Sequence, residues 1–274
     1  MTFKIIIEFS IAQVGAEALG GGSLNVVFIV GMAGTGKSSL IGAFRDWLRL
    51  REVNVLALNL DPGALSTPYN PDVDVRSMVD VYQLMERYEL GPNGALIMAA
   101  DLIADHLEEI TAILEESTPD FLLVDTPGQI ELFAFRESGP FIVNNMPGEK
   151  AVVYLMDAPF SRNPLNFVSN LFLAAAVYHR LLKPQVYALS KSDMIAEGEV
   201  ERIILWTQDL DALAQDLESK APIQSMVMRE IAETLERTGL ITEPIPTSSK
   251  NMEGFTELSA AIARTLSRGE EGED

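Results

Sequence analysis

The octapeptide Gly31-Met-Ala-Gly-Thr-Gly-Lys-Ser38 matches the phosphate-binding loop pattern G-x-x-x-x-G-K-[ST] at every fixed position. Its flanks are those the pattern needs. An apolar run, Leu24 to Val30, leads in, and a helix-periodic stretch, Ser39 to Leu50, leads out. A strand entering and a helix leaving aim backbone N–H groups and the positive helix end at one anion. Gly31, Ala33, Gly34, Thr35, Gly36 and Ser39 are therefore expected to cradle phosphate. Lys37 is expected to reach the outer phosphates, and the Ser38 hydroxyl to sit on Mg²⁺.

Outward from this loop, apolar runs alternate with helical patterns. The strand candidates are Asn25–Val30, Asn54–Leu60, Phe121–Asp125, Ala151–Asp157, Gln185–Ser190 and Ile245–Ser248. They are continuously apolar, as strands buried on both faces are. Helices between them predict an α/β fold: a doubly wound, mainly parallel sheet flanked by helices. Right-handed crossovers then gather the strands' C-terminal ends on one rim, where ligands bind. One insertion departs from the alternation. Two helical patterns, Arg76 to Tyr88 and Ala95 to Glu116, fill the space between Leu60 and Phe121, joined by a Gly91-Pro92-Asn93-Gly94 turn. In the second, Leu96, Ala100, Ile103, Leu107, Ile110 and Leu114 mark one helix face. A final helix is expected from Phe255 to Leu266.

The chain has 274 residues, 47% of them hydrophobic, which suits one large α/β domain with a sizeable core. It has no cysteine, which excludes disulfides and thiolate metal sites and fits a cytoplasmic protein. Two histidines leave little room for a His-built metal centre. A net charge of −20 repels nucleic acid backbones and anionic membranes, so neither is an expected partner. Residues 1–23, with Ile5-Ile6-Ile7 between Lys4 and Glu8, form an N-terminal extension too short and charged to span a bilayer and without a signal-peptide pattern. Residues 24–268 are expected to form the nucleotide-binding domain. Residues 269–274 are expected to be an acidic, disordered tail, within a disordered stretch that begins at Arg268.

Four further motifs fall just after predicted strands. Asp125-Thr126-Pro127-Gly128 follows Phe121–Val124; Asp125 can hold Mg²⁺ through water, and the Gly128 N–H can contact a terminal phosphate. Gln129 follows, where a glutamine orients water in Ras-type enzymes. Asp61, in Asn59-Leu-Asp-Pro-Gly63, is expected to bind a Mg²⁺ water or the attacking water. Ser190-Lys-Ser-Asp193 approximates the Asn-Lys-x-Asp pattern that reads guanine. A carboxylate at Asp193 accepts from guanine N1–H and the 2-amino group, whereas adenine opposes it with a lone pair. The Lys191 stem can cover the base plane. Ser190 stands where Asn ordinarily ties this loop to the phosphate loop, and a serine offers only part of that tie. Ser248 and Ser249, after the last strand, form a small-residue turn able to offer an N–H to guanine O6.

Together these elements resemble the GPN-loop GTPases, P-loop GTPases of the SIMIBI class, from about Asn25 to Leu266. The most specific marks are Leu90-Gly-Pro-Asn-Gly-Ala-Leu96 and Asp125-Thr-Pro-Gly-Gln-Ile-Glu131. The resemblance implies a homodimer that hydrolyses GTP to GDP with Mg²⁺. It also implies that Asn93 reaches the other subunit's active site in trans, and that Asp101 occupies an acidic switch position. Eukaryotic relatives assist RNA polymerase assembly, so a protein client of that kind is an extrapolation. Three other readings compete. Related dimeric ATPases of the partitioning or metal-chaperone type carry a lysine where this chain has Met32. A small-molecule kinase would need a basic lid. A nucleotide-binding assembly module with vestigial hydrolysis would use a partner surface, for which the helix Asn163 to Leu182, with Phe167, Leu171, Phe172 and Val177, is the candidate.

Overall fold

The structure, a computed structural model, describes residues 24–220 and 222–270. Within them one sheet of seven strands forms, all neighbours parallel. The strands are β1 (Asn25–Gly31), β2 (Val55–Asn59), β3 (Val73–Asp74), β4 (Phe121–Asp125), β5 (Glu149–Asp157), β6 (Gln185–Ser190) and β7 (Ile245–Thr247). Their order is β3-β2-β4-β1-β5-β6-β7. β1 and β4 are buried at every residue, in keeping with their unbroken apolar runs. All six predicted strands are present. β3 is additional: two residues are too few to leave a periodic signal.

Side chains alternate between two layers. Val26, Phe28, Val30, Leu122 and Val124 point into one; Val27, Ile29, Phe121 and Leu123 point into the other. The second layer is covered by α1 (Lys37–Arg49) and, at the far end of the chain, by the final helix (Phe255–Glu270), with Phe44, Trp47 and Phe255 packed ring to ring. The first layer is larger. Its helices include α2 (Val81–Tyr88), α3 (Pro92–Ile103), α4 (Leu107–Ser117), α5 (Ile130–Phe133), α6 (Ser138–Asn145), α7 (Ala158–Ser161) and α8 (Pro164–Leu181). Between β6 and β7 come α9 (Glu197–Gln208), α10 (Leu210–Lys220) and α11 (Pro222–Arg237), three helices where the alternating pattern suggests one crossover. The final helix is α12.

Several expectations are corrected. The helix predicted over 76–88 begins only at Val81, after a 3₁₀ turn at Val75–Ser77, because the Asp80 carboxylate caps the Tyr82 and Gln83 N–H groups. The predicted Ala95–Glu116 helix is two helices joined by a 3₁₀ turn at Ala104–His106. No proline or glycine marks the break, and its apolar face continues through it, with Ile103, Leu107, Ile110 and Leu114 buried. Gly91-Pro-Asn-Gly94 is the first turn of α3 and not a free loop. Pro92 sits where its missing N–H costs nothing, and Gly91 precedes it in extended conformation. α12 runs on to Glu270, past the expected end at Leu266, so residues 268–270 are helical. Phe167, Leu171 and Val177 of α8 are core; Phe172 is exposed. The N-terminal extension, 1–23, and residues 271–274 lie outside the described residues. No helix among the described residues is long and apolar enough to cross a membrane.

Candidate nucleotide site

Parallel pairing puts the motifs side by side. Asp125 is level with Ile29 on one side and Asn59 on the other; Gly31 is level with Leu155, Asp157 with Ser190, and Ser190 with Thr247. The phosphate loop thus emerges at the centre of the rim. Asp61 and Asp125 lie toward one edge, and the Ser190–Asp193 and Thr247–Ser249 turns toward the other.

The loop is a tight wrap around its own lysine. Gly36, at φ 92°, turns the chain into α1, a conformation that costs an L side chain about 1–2 kcal/mol. The buried Thr35 hydroxyl donates to the Met32 carbonyl at 2.9 Å. Lys37 Nζ donates to the carbonyls of Gly31 (3.0 Å), Met32 (3.2 Å) and Gly128 (3.5 Å) and is 6% exposed. Burial lowers its pKa against the opposing pull of the Asp125 and Asp61 charges. Ala33, Gly34 and Ser39 face solvent, while Ser38 is half-buried beside Asp125.

Asp125 is 2% exposed. Its Oδ2 accepts from the Tyr69 hydroxyl at 3.0 Å, and its Oδ1 has no hydrogen-bond partner. Burial raises its pKa to about 6, although the Ser38 and Tyr69 hydroxyls and the Lys37 ammonium favour the ionised form. A buried carboxylate oxygen beside a serine hydroxyl, left unpaired by the protein, fits a hard cation such as Mg²⁺. Among the described residues no group of three or more His, Cys, Asp or Glu could hold a metal, so such a cation would depend on phosphate and water for its other ligands.

Asp61 is engaged through both oxygens: Oδ2 accepts the Gly128 N–H at 3.0 Å and Oδ1 the Gly63 N–H at 2.9 Å. It is therefore bound to the very amide expected to meet a terminal phosphate. Asn59 Oδ1 accepts the Asp61 N–H, and Asn59 Nδ2 donates to Asp74, itself paired with Arg76 at 2.6 Å. A Cβ on Gly63 would lie 2.5 Å from Leu96 Cδ2 on α3, so a side chain there would have to displace the tip of that leucine. Gln129 is exposed at the head of α5, and Asn93 is exposed in the first turn of α3. Asp101 faces neither the phosphate loop nor open water alone. Arg136 grips it at 3.0 and 2.6 Å and the Ser138 hydroxyl at 3.1 Å, and the Arg136 bond holds its pKa below the usual carboxylate range. That ion pair fastens α3 to the chain that follows Gly128.

At the other edge, Ser190 makes the tie expected of an asparagine. Its Oγ lies 2.7 Å from the Thr35 carbonyl and 3.2 Å from that of Met156. Lys191, at φ 59°, sends its stem past Gly36 and its Nζ to the Gly34 carbonyl and to Asp157 Oδ2, both at 2.6 Å. Asp193 is exposed. Ser248 is fully buried, its N–H bonded to Glu253 and its hydroxyl accepting the Asn251 N–H, while Ser249 is half-buried. Asp157 was not singled out from the sequence, although it too ends a predicted strand on this rim. Tyr69 and Arg136 carried no sequence signal.

Residues 29–268 match the family described as conserved hypothetical ATP binding protein. GPN-loop GTPase PAB0955 of Pyrococcus abyssi is 34% identical over 241 residues, covering 85% of this chain and 94% of that protein. The chain belongs to the GPN-loop GTPase family. The crystal structure of the same archaeal GTPase superposes on this GPN-loop chain with a TM-score of 0.78 at 32% identity, covering 88% and 96% of the two chains. GPN-loop GTPase 1 of Dictyostelium discoideum is 28% identical over 240 residues, 86% of this chain. This chain spans 60% of that relative's length and 66% of GPN-loop GTPase 1 of Saccharomyces cerevisiae.

Proposed function

We propose that this GPN-loop chain hydrolyses GTP with Mg²⁺ and works as a homodimeric, nucleotide-gated switch. The observation that carries the reading is the bonding between the two recognition motifs. Ser190 and Lys191 are hydrogen-bonded to the carbonyls of Thr35 and Gly34, so the loop bearing Asp193 is registered on the phosphate loop. Asp193 then stands exposed for a base whose phosphates lie over Gly31 to Ser39, with the Ser248–Ser249 turn on its far side. This supports guanine, although the family description speaks of ATP.

In this reading the loop amides and Lys37 neutralise phosphate charge, and Ser38 and Asp125 hold the Mg²⁺. When bound, such a metal would neutralise phosphate charge. Gly128 offers its N–H to the terminal phosphate once Asp61 releases it. Asp61, Gln129 and Asn93 of the partner subunit position water, and Asp101 relays α3 to the chain beyond Gly128 through Arg136. Catalysis is by positioning and electrostatics without a covalent intermediate. A GTP-bound dimer would present a client, such as a large polymerase-like assembly, with a different surface from the GDP-bound one.

The test is turnover and affinity with GTP against ATP, for the wild type and Asp193→Asn. Hydrolysis selective for GTP, with selectivity falling about 10- to 100-fold in the variant, is expected. Equal use of ATP would overturn the guanine assignment. Tight GDP binding with turnover at the detection limit would favour the assembly-module reading.

A further inference from the structure

We propose that Tyr69 is a positioning residue for the metal: its hydroxyl holds Asp125 Oδ2 so that Oδ1 is the oxygen presented beside Ser38. This inference rests on the reading of Asp125 as the carboxylate that serves Mg²⁺-nucleotide.

Tyr69 is set in place from several directions. It comes from the stretch between β2 and β3, eight residues after Asp61, yet it is only 8% exposed. Its Cβ lies 3.1 Å from where a Cβ on Gly42 of α1 would stand, so the small residue at position 42 admits the ring. The Thr67 hydroxyl donates to the Tyr69 carbonyl at 2.7 Å, and Arg45 both donates to the Asn70 carbonyl and lies 5.6 Å from the ring centroid. The phenol has a single proton and it goes to Asp125 Oδ2. Oδ1, without a hydrogen-bond partner in a buried setting, is thereby the more open of the two Asp125 oxygens to a cation. Tyr69 also belongs to the segment that carries Asp61, whose carboxylate holds the Gly128 N–H. The metal carboxylate and the terminal-phosphate amide are therefore both gripped by one stretch of chain, and that stretch is clamped to α1 directly behind the phosphate loop.

Outer partners that orient a metal ligand are typically worth 10- to 100-fold in metal affinity. The experiment is fluorescent GDP binding to the full chain at graded free Mg²⁺, for wild type, Tyr69→Phe, Asp125→Asn and the double variant. Tyr69→Phe is expected to leave metal-free GDP affinity within about twofold, and to raise the Mg²⁺ concentration for half-maximal effect about tenfold or more. In the Asp125→Asn background it should add nothing, since the carboxylate through which it acts is gone. A purely structural tyrosine would weaken binding equally with and without Mg²⁺, which would overturn the proposal, as would an unchanged Mg²⁺ requirement in Tyr69→Phe. If wild-type GDP binding does not respond to Mg²⁺ at all, the assignment of Asp125 itself fails and the role of Tyr69 falls with it. Should Tyr69→Phe prove unstable, Thr67→Ala, which loosens the tyrosine's backbone and not its hydroxyl, must show a smaller shift of the same sign; a shift of the opposite sign would overturn the proposal.

Discussion

At the phosphate end of the rim, Lys37, Asp61 and one oxygen of Asp125 are each held by another part of the chain, under cover. At the base end Asp193 stands exposed, and the hydrogen bonds around it, from Ser190 and Lys191, serve only to fix the loop that carries it. Binding at the base end adds interactions to a preformed surface. On the proposed roles of Gly128 and Lys37, binding at the phosphate end is an exchange, in which Gly128 leaves Asp61 and Lys37 turns from carbonyls to phosphate. In the proposed reading, selectivity therefore belongs to the open end, and gating to the closed one.

The harshest way to break this comparison is Lys37→Ala. Removal of the buried Lys37 ammonium should reduce turnover by at least about 100-fold, while guanine preference in binding survives. A steady-state assay paired with competition binding would show it, and loss of guanine preference together with turnover would mean that the two ends are not separable.

Next in size is the charge of Asp125. Its pKa of about 6 lies above the ordinary aspartate value of 3.8, so the native state keeps the proton across that interval. The stability this group contributes is present below pH 4 and lost as pH rises through 6. The displacement corresponds to about 3 kcal/mol. Nucleotide-free Asp125→Asn should therefore unfold several degrees higher than wild type at pH 7.5, and the gap should close toward pH 4.5. Calorimetry across that range is the check; an equal midpoint at pH 7.5 would mean that burial does not raise the Asp125 carboxyl.

Ser190→Ala sharpens the comparison most gently. It removes the tie between the ends and leaves the Thr35 carbonyl without its 2.7 Å partner. The loss should be about 1 kcal/mol, or roughly fivefold in GDP affinity, with the ratio of GTP to ATP binding unchanged. A fall in that ratio would show that Ser190 helps to read the base.

The phosphate loop, the six longer strands and the strand-ending positions of Asp61, Asp125 and Ser190 were legible because each rests on local pattern: fixed glycines, an unbroken apolar run, a carboxylate at a run's end. β3 escaped because it is two residues long, and its pairing with β2 is visible only once Asp74 meets Asn59. The split of the long helix at Ala104–His106 escaped because hydrophobic periodicity runs straight through it. Gly91-Pro-Asn-Gly94 has the composition of a turn, but proline at the first position of a helix reads the same way from sequence.

The sequence by itself determined that a phosphate-binding loop opens on the rim of a mainly parallel sheet, and that Asp61, Asp125 and the Ser190–Asp193 stretch follow strands on that same rim. Both follow from short-range chemistry repeated at strand ends. Only the tertiary structure decided that Tyr69 holds Asp125, that Arg136 holds Asp101, and that Asp61 covers the Gly128 amide. Those pairs are 56, 35 and 67 residues apart, and no local pattern constrains which donor a buried carboxylate will meet. Strand order and helix docking bring the groups together, and the requirement that buried polar atoms find partners then selects the bond.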